Sequence, residues 1–327
     1  MRVDLLVSEA WEDLNGKIFS QLELPENTLV KCYRGLAHAI FETCAGASYL
    51  FSHKKSLGII RGQTPAFAGL IPGFHKEGYQ VQNQTGWPIG NEKNWVDGLK
   101  KDTNFVLYAS DNPVSGEIFP WEVLDDLLNE KKIFSVRVSH SDWLKDFKSG
   151  KKTVRPYSVH ILSIYGGLSL AICGEKVKTV SVVADKMPWD FEEVQNQVNS
   201  RLSEFLEDKK TILEFEKNLP LGWQALLNHE KRLFDRSLIY HSGIHGGALI
   251  EEISNLAQCS LGKPGEFNLF ETTNLARWNS IFGYFDWWDF SLTPEILRGM
   301  IVIDARALQS QKNFTEILNQ AVKNIVL

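Results

Sequence analysis

A chain of 327 residues, 43% hydrophobic and 23% charged, holds enough apolar material for a sizeable core without disulfide or metal staples. A net charge of -5 and scattered Lys-Lys pairs give no polyanion-binding surface, and no aromatic-interleaved basic stripe invites nucleic acid. Cys32, Cys44, Cys173 and Cys259 stand far apart, the N-terminus has no apolar core of signal length, and no apolar run reaches transmembrane length, so a soluble cytoplasmic protein with structural thiols is expected.

Residues 1–30 read as an N-terminal arm. Residues 33–52 place Leu36, Ala39, Ile40, Ala47, Leu50 and Phe51 at helical spacing, with a break expected at Ala45-Gly46. A short strand, Leu57 to Ile60, precedes a helix through Thr64-Pro65-Ala66-Phe67, which Gly78 ends. Tyr79-Gln80-Val81 is extended, and residues 83–98 read as loop. A strand at 105–109, a helix near 120–131 and strands at 133–138, 158–162 and 177–183 follow. Runs this apolar, alternating with helices, predict a mostly parallel sheet covered on both faces.

Val194, Val198, Leu202, Phe205, Leu206 and Leu213 then mark one face of a helix over 192–217, which Pro220 stops. A helix is expected over 221–239, a loop at 241–247, a helix at 248–258, a late apolar run through Ile301-Val302-Ile303 and a closing helix at 314–326. These elements divide the chain into an arm (1–30), a large α/β domain (31–215) and a small α+β C-terminal domain (216–327).

Four motifs give this order of elements a resemblance to the fold-type-I pyridoxal-phosphate aminotransferases of class I/II. Ala45-Gly46-Ala47-Ser48 looks like the small-residue turn that opens a helix under the cofactor phosphate, which makes Ala47 and Ser48 candidate ligands, with a buried helix crossing as the alternative. The segment from Arg61 to Val81 is similar to the one that stacks an aromatic on the cofactor ring, here Phe67 or Tyr79, with core packing as the alternative. Asn112-Pro113-Val114-Ser115-Gly116 matches the Asn-Pro loop, in which the Asn donates to the ring oxygen. Gly174-Glu175-Lys176-Val177 is similar to a Gly-Leu-Arg-Val run and puts Lys176 where an arginine holds the phosphate. Arg306 has the late position of the family's substrate-carboxylate arginine, with an ion pair to Asp304 as the alternative.

Two features of the family pattern are missing. No lysine occurs between Lys152 and Lys176, where the family carries its Schiff-base lysine, so covalent capture and α-proton transfer lose their amine. The slot of the aspartate that pairs with the pyridine nitrogen falls on Ser139 or His140. The resemblance therefore implies an aminotransferase-fold homodimer that has lost transamination, has no cofactor, and binds a small molecule or partner in the old cleft. The alternative is a pyridoxal-phosphate enzyme with a displaced lysine (Lys176, Lys178 or Lys186) or a histidine base (His140 or His160).

Outside the resemblance, His241 and His245 have metal-ligand spacing, but Gly243, Gly246 and Gly247 favour a loop and no metal is expected. The aromatic run at 282–290 reads as small-domain core or as a partner surface.

Overall fold

The computed structural model describes residues 28–50, 52–60, 66–84, 87–112, 116–140, 143, 154–163, 168–177, 208–226, 232, 234–261, 299–311 and 313–326. The aromatic run at 282–290, the extended run beyond Val177 and most of the arm lie outside these residues. The chain forms two compact units, Met1–Asp111 with Phe119–Leu202, and Asn112–Ile118 with Ser203–Leu327.

In the first unit the order is β1 (Leu29–Arg34), α1 (Leu36–Leu50), β2 (Ser56–Ile60), α2 (Ala66–Lys76), β3 (Gln80–Gln84), α3 (Glu92–Asp97) and β4 (Thr103–Ala109). There follow α4 (Trp121–Glu130), β5 (Phe134–Ser139), β6 (Ser158–Ser163) and β7 (Leu168–Cys173). The seven strands make one sheet in the order β1-β7-β6-β5-β4-β2-β3. Only β7 is reversed: it runs antiparallel to both β6 and β1, while β2 to β6 pair in parallel.

Alternation along the strands divides the core in two. Leu57, Ile59, Phe105, Leu107, Ala109, Phe134, Val136, Val138, Val159 and Ile161 join Ala39, Ile40, Cys44 and Ala47 of α1 on one face. Ile60, Val106 and Tyr108 meet Trp121, Leu124 and Leu128 on the other. In α4 the buried residues Trp121, Leu124, Asp125 and Leu128 follow the i, i+3, i+4, i+7 stripe of a helix laid on a sheet. Asp125 is thereby carried into the core, beside Arg137 of β5.

The sequence expectations need correction at several points. Gly46 does not break α1, which runs unbroken to Leu50, because one helical Gly costs only ~1 kcal/mol and the buried stripe on either side outweighs it. The strand β1 takes the end of the expected arm and the start of the expected helix. Residues 83–98 contain the short α3.

In the second unit a helix covers 208–217. The helix expected over 221–239 is absent. In its place stand β8 (Trp223–Ala225) and β9 (Arg236–His241), which with β10 (Met300–Asp304) form an antiparallel sheet in the order β10-β9-β8. Gly222, at φ +90, turns the chain before β8, and Leu238-Ile239-Tyr240 is a short buried strand whose apolar run carries no periodicity of its own. The other described helices of the unit are α5 (Gly246–Leu261), α6 (Ala305–Ser310) and α7 (Phe314–Val326). The last buries Phe314, Ile317, Leu318 and Ala321 along one stripe.

Cys32, Cys44 and Cys173 are free, buried thiols. Burial pushes Cys32 and Cys173 up to about 12 and moves Cys44 in the same direction. The unfolded chain therefore releases these protons first, near the ordinary thiol value of 9.0, and the stability they contribute is whole below that value and lost as pH rises toward about 12. Urea midpoints across an alkaline series should fall through this window, and a thiol-selective disulfide reagent should leave all three cysteines unlabelled in the native protein. Rapid labelling of any of the three would contradict the burial.

No helix among the described residues is long and apolar enough to cross a membrane.

Candidate functional site

In an open parallel sheet, ligands bind outside the carboxyl ends of the strands, where successive connections leave in opposite directions. Here the chain passes from β2 to its neighbour β3, then back across β2 to β4 on the other side. The switch point thus lies between β2 and β4.

The carboxyl ends of β4, β5 and β6 are tied together by side chains. The Asp111 carboxylate, which is buried, accepts two hydrogen bonds on Oδ1, from the His140 main-chain N–H at 2.8 Å and from His140 Nδ1 at 3.0 Å. Ser110 donates its main-chain N–H and its hydroxyl to the Val138 carbonyl, at 2.8 and 3.2 Å. The Ser139 hydroxyl accepts the Trp143 main-chain N–H at 3.1 Å, and the Trp143 indole donates to the Ser163 carbonyl at 3.1 Å. Of these groups the His140 side chain is partly open to solvent, at 11%.

No sequence motif marks the Asp111–His140 pair. Its members are strand-end neighbours far apart in sequence, and only the parallel pairing of Ala109 with Val138 brings them together. Asn112, the next residue, is fully buried and opens the excursion that belongs to the second unit. Its N–H donates to the Glu117 carbonyl and its carbonyl accepts the Gly116 N–H, both at 2.8 Å, with Gly116 at φ +75.

No protein-family model matches the sequence, and no curated protein matches it. Solved structures do match. A NifS-like protein superposes with a TM-score of 0.65 at 13% identity, over 97% of this chain and 89% of its own. An archaeal O-phosphoseryl-tRNA(Sec) selenium transferase gives 0.65 at 14%, over 96% and 75%. A sphingosine-1-phosphate lyase from Burkholderia pseudomallei gives 0.64 at 11%, over 99% and 79%. The fold is that of the fold-type-I pyridoxal-phosphate enzymes.

On this fold-type-I sheet the candidate cofactor residues do not meet. Ala47 and Ser48 lie near the C-terminal end of α1, where the helix has returned to the amino edge of the sheet. Backbone N–H groups inside a helix are already bonded, so this stretch is no anion cradle. The Ser48 carbonyl instead accepts the Tyr79 hydroxyl at 3.3 Å, and Tyr79 lies under Lys55, at the start of β3. Lys176 follows β7, and because β7 is reversed it too emerges at the amino edge, where its N–H bonds the Pro156 carbonyl at 2.9 Å. Its amine is exposed and pairs with adjacent Glu175 at 2.9 Å, and that bond, the larger effect, followed by the charge of Glu175, raises its pKa. Six-residue strands span about 20 Å, and that distance separates Ser48 and Lys176 from the Asp111 corner.

Phe67 lies just beyond the carboxyl end of β2 but is fully buried in the core, packed rather than presented. Arg306 falls in the first turn of α6, after β10 has ended at Asp304, and its side chain lies outside the described residues. His160 is buried on the α4 face, where Nδ1 accepts from Arg137 at 2.7 Å. Desolvation first, and then the Arg137 charge, hold its pKa well below 6.5, so the ring stays neutral in the fold. His241 meets the Trp223 ring edge-on at 5.2 Å, and His245 Nδ1 accepts the Gly247 N–H at 3.1 Å. Among the described residues no group of three His, Cys, Asp or Glu side chains could hold a metal.

The described side chains of the Asp111 corner are a carboxylate, an imidazole and serine hydroxyls, and none is a primary amine. Lys176→Ala should leave the urea midpoint unchanged, because its amine pairs with an exposed neighbour, Glu175, and exposed ion pairs contribute little. Matched urea melts of the two proteins would check this.

Proposed function

We propose that this chain is an aminotransferase-fold protein that has lost covalent amino-group transfer and binds a small molecule outside the carboxyl ends of β4 to β6. One observation carries the reading: the corner at this edge is built from Asp111, Ser139, His140 and Ser163, with no lysine between Lys152 and Lys176 in sequence and Lys176 at the opposite edge. A homodimer and a cytoplasmic location accompany this reading.

The test is spectroscopic. Pyridoxal phosphate added to the purified chain should give no stable aldimine band, and borohydride should fix no pyridoxyl group to a lysine. A band that reduction locks onto one lysine, found by peptide mapping, would overturn the proposal.

A second reading, a pyridoxal-phosphate enzyme that works through a histidine, is favoured by the carboxylate hydrogen bond that orients His140. His160 is a poor candidate for that role, since its ring is buried against a cation.

A further inference from the structure

We infer that Asp111 and His140 form an acid–base pair, in which His140 takes the hydrogen of a ligand hydroxyl through Nε2 and Asp111 is the positioning residue. The inference rests on the small-molecule reading above and adds to it the class of ligand, an alcohol or phenol.

The geometry leads there in three steps. Asp111 Oδ1 already accepts the main-chain N–H of His140, so it is placed to accept from Nδ1 as well. That fixes the ring hydrogen on Nδ1 and leaves Nε2 as a lone-pair acceptor, the tautomer a general base requires. The main-chain bond also fixes the backbone that carries the ring, and the preceding residue, Ser139, is itself held by the Trp143 main-chain N–H.

Position and exposure complete the case. His140 follows β5 at the carboxyl edge, one strand away from the switch point between β4 and β2. Its side chain is partly open while its carboxylate partner is buried, so solutes can reach the imidazole and not the group that orients it. His160 is the internal contrast, an imidazole on the adjacent strand that faces a guanidinium and has no carboxylate partner among the described residues. In the proposed step the ligand O–H bond breaks, the proton joins Nε2, the electron pair stays on the ligand oxygen, and Nδ1–H keeps its hydrogen bond to Asp111.

Two measurements on the full chain decide it. 4-Nitrophenol is added at a pH where the free phenol is protonated. The phenolate absorbance should grow with wild-type protein, vanish with His140→Gln, which keeps the main-chain bond to Asp111, and be unaffected by His160→Gln. Separately, diethyl pyrocarbonate should label His140, and Asp111→Asn should slow that labelling by roughly tenfold or more without loss of folding by circular dichroism. Absence of the phenolate band in the wild type, or equal labelling of wild type and Asp111→Asn, overturns the pair. A borohydride-fixed aldimine would overturn the loss of covalent chemistry while leaving both of these results standing.

Discussion

Asp125→Ala should lower the unfolding free energy by about 3–5 kcal/mol, the range for removing one partner of a buried charge pair. Asp125 is buried in α4 and serves three groups at once. Its Oδ1 accepts from the Tyr108 hydroxyl and from the Ser135 hydroxyl, the latter at 3.1 Å, and its Oδ2 lies 3.9 Å from Arg137 Nε. Burial first, then the Asp125 charge, push Tyr108 well above its usual value, so the phenol stays a donor.

Arg137 is itself buried, its central guanidinium carbon 3.4 Å from the centre of the Trp121 ring, with one nitrogen bonded to His160. Removing Asp125 would leave that guanidinium without a counter-charge in a low-dielectric layer and strip two hydroxyls of their acceptor. Asp125→Asn separates the two costs, since it keeps an acceptor for the hydroxyls and removes the charge. The double change Asp125→Leu, Arg137→Met should recover much of the loss, because apolar replacement of a buried pair is often near neutral. A urea midpoint for Asp125→Ala equal to wild type would refute this account. The His160 ring adds an acid limit: held neutral in the fold, it protonates first in the unfolded chain, so stability falls as pH drops below 6.5.

Gly174→Ala should cost about 3 kcal/mol or more, an overpacking penalty taken against backbone rather than side chain. An added Cβ would stand 2.1 Å from the Arg155 carbonyl oxygen and 2.8 Å from that of Pro156. Neither can swing away. Arg155 accepts the Ser158 N–H at 3.0 Å, Pro156 accepts the Lys176 N–H at 2.9 Å, and Gly174 itself donates to Ser158 at 2.8 Å. The strain would be relieved only by parting the entry of β6 from the exit of β7. Gly73→Ala is the matched control. That glycine lies inside α2 with nothing within 4 Å of the new carbon, so its replacement should be neutral or stabilise by ~0.5–1 kcal/mol. Equal melting of the two variants would show the close approach at Gly174 to be unimportant.

Much of the sheet was legible because its strands are buried on both faces and its helices carry one apolar stripe. The closing helix at 314–326, the strands around 57–60 and 105–109 and the turn at Gly78 follow from spacing and from a glycine at φ +80. The site was less legible, for a physical reason. A motif is local, whereas the edge of the sheet on which it lands depends on the direction of a strand. Gly174-Glu175-Lys176 resembles a phosphate-binding run, but β7 runs antiparallel to β6 and carries Lys176 to the amino edge. Ala45 to Ser48 has the small residues of a helix opening, yet small residues also suit a helix interior packed on a sheet. The pairing of Asp111 with His140 depends on two strands finding their register, and no short string encodes that.

The reversed strand has a consequence for how the molecule is made. Leu29 pairs with Cys173, so β1, the earliest of the described strands in chain order, is seated only after β7 has been made. Until then the hairpin of β6 and β7 presents a bare, apolar margin to anything extended nearby, including the same segment of another nascent chain. Loss of the opening strand would leave that margin exposed for good, and self-association by strand exchange would be the first symptom.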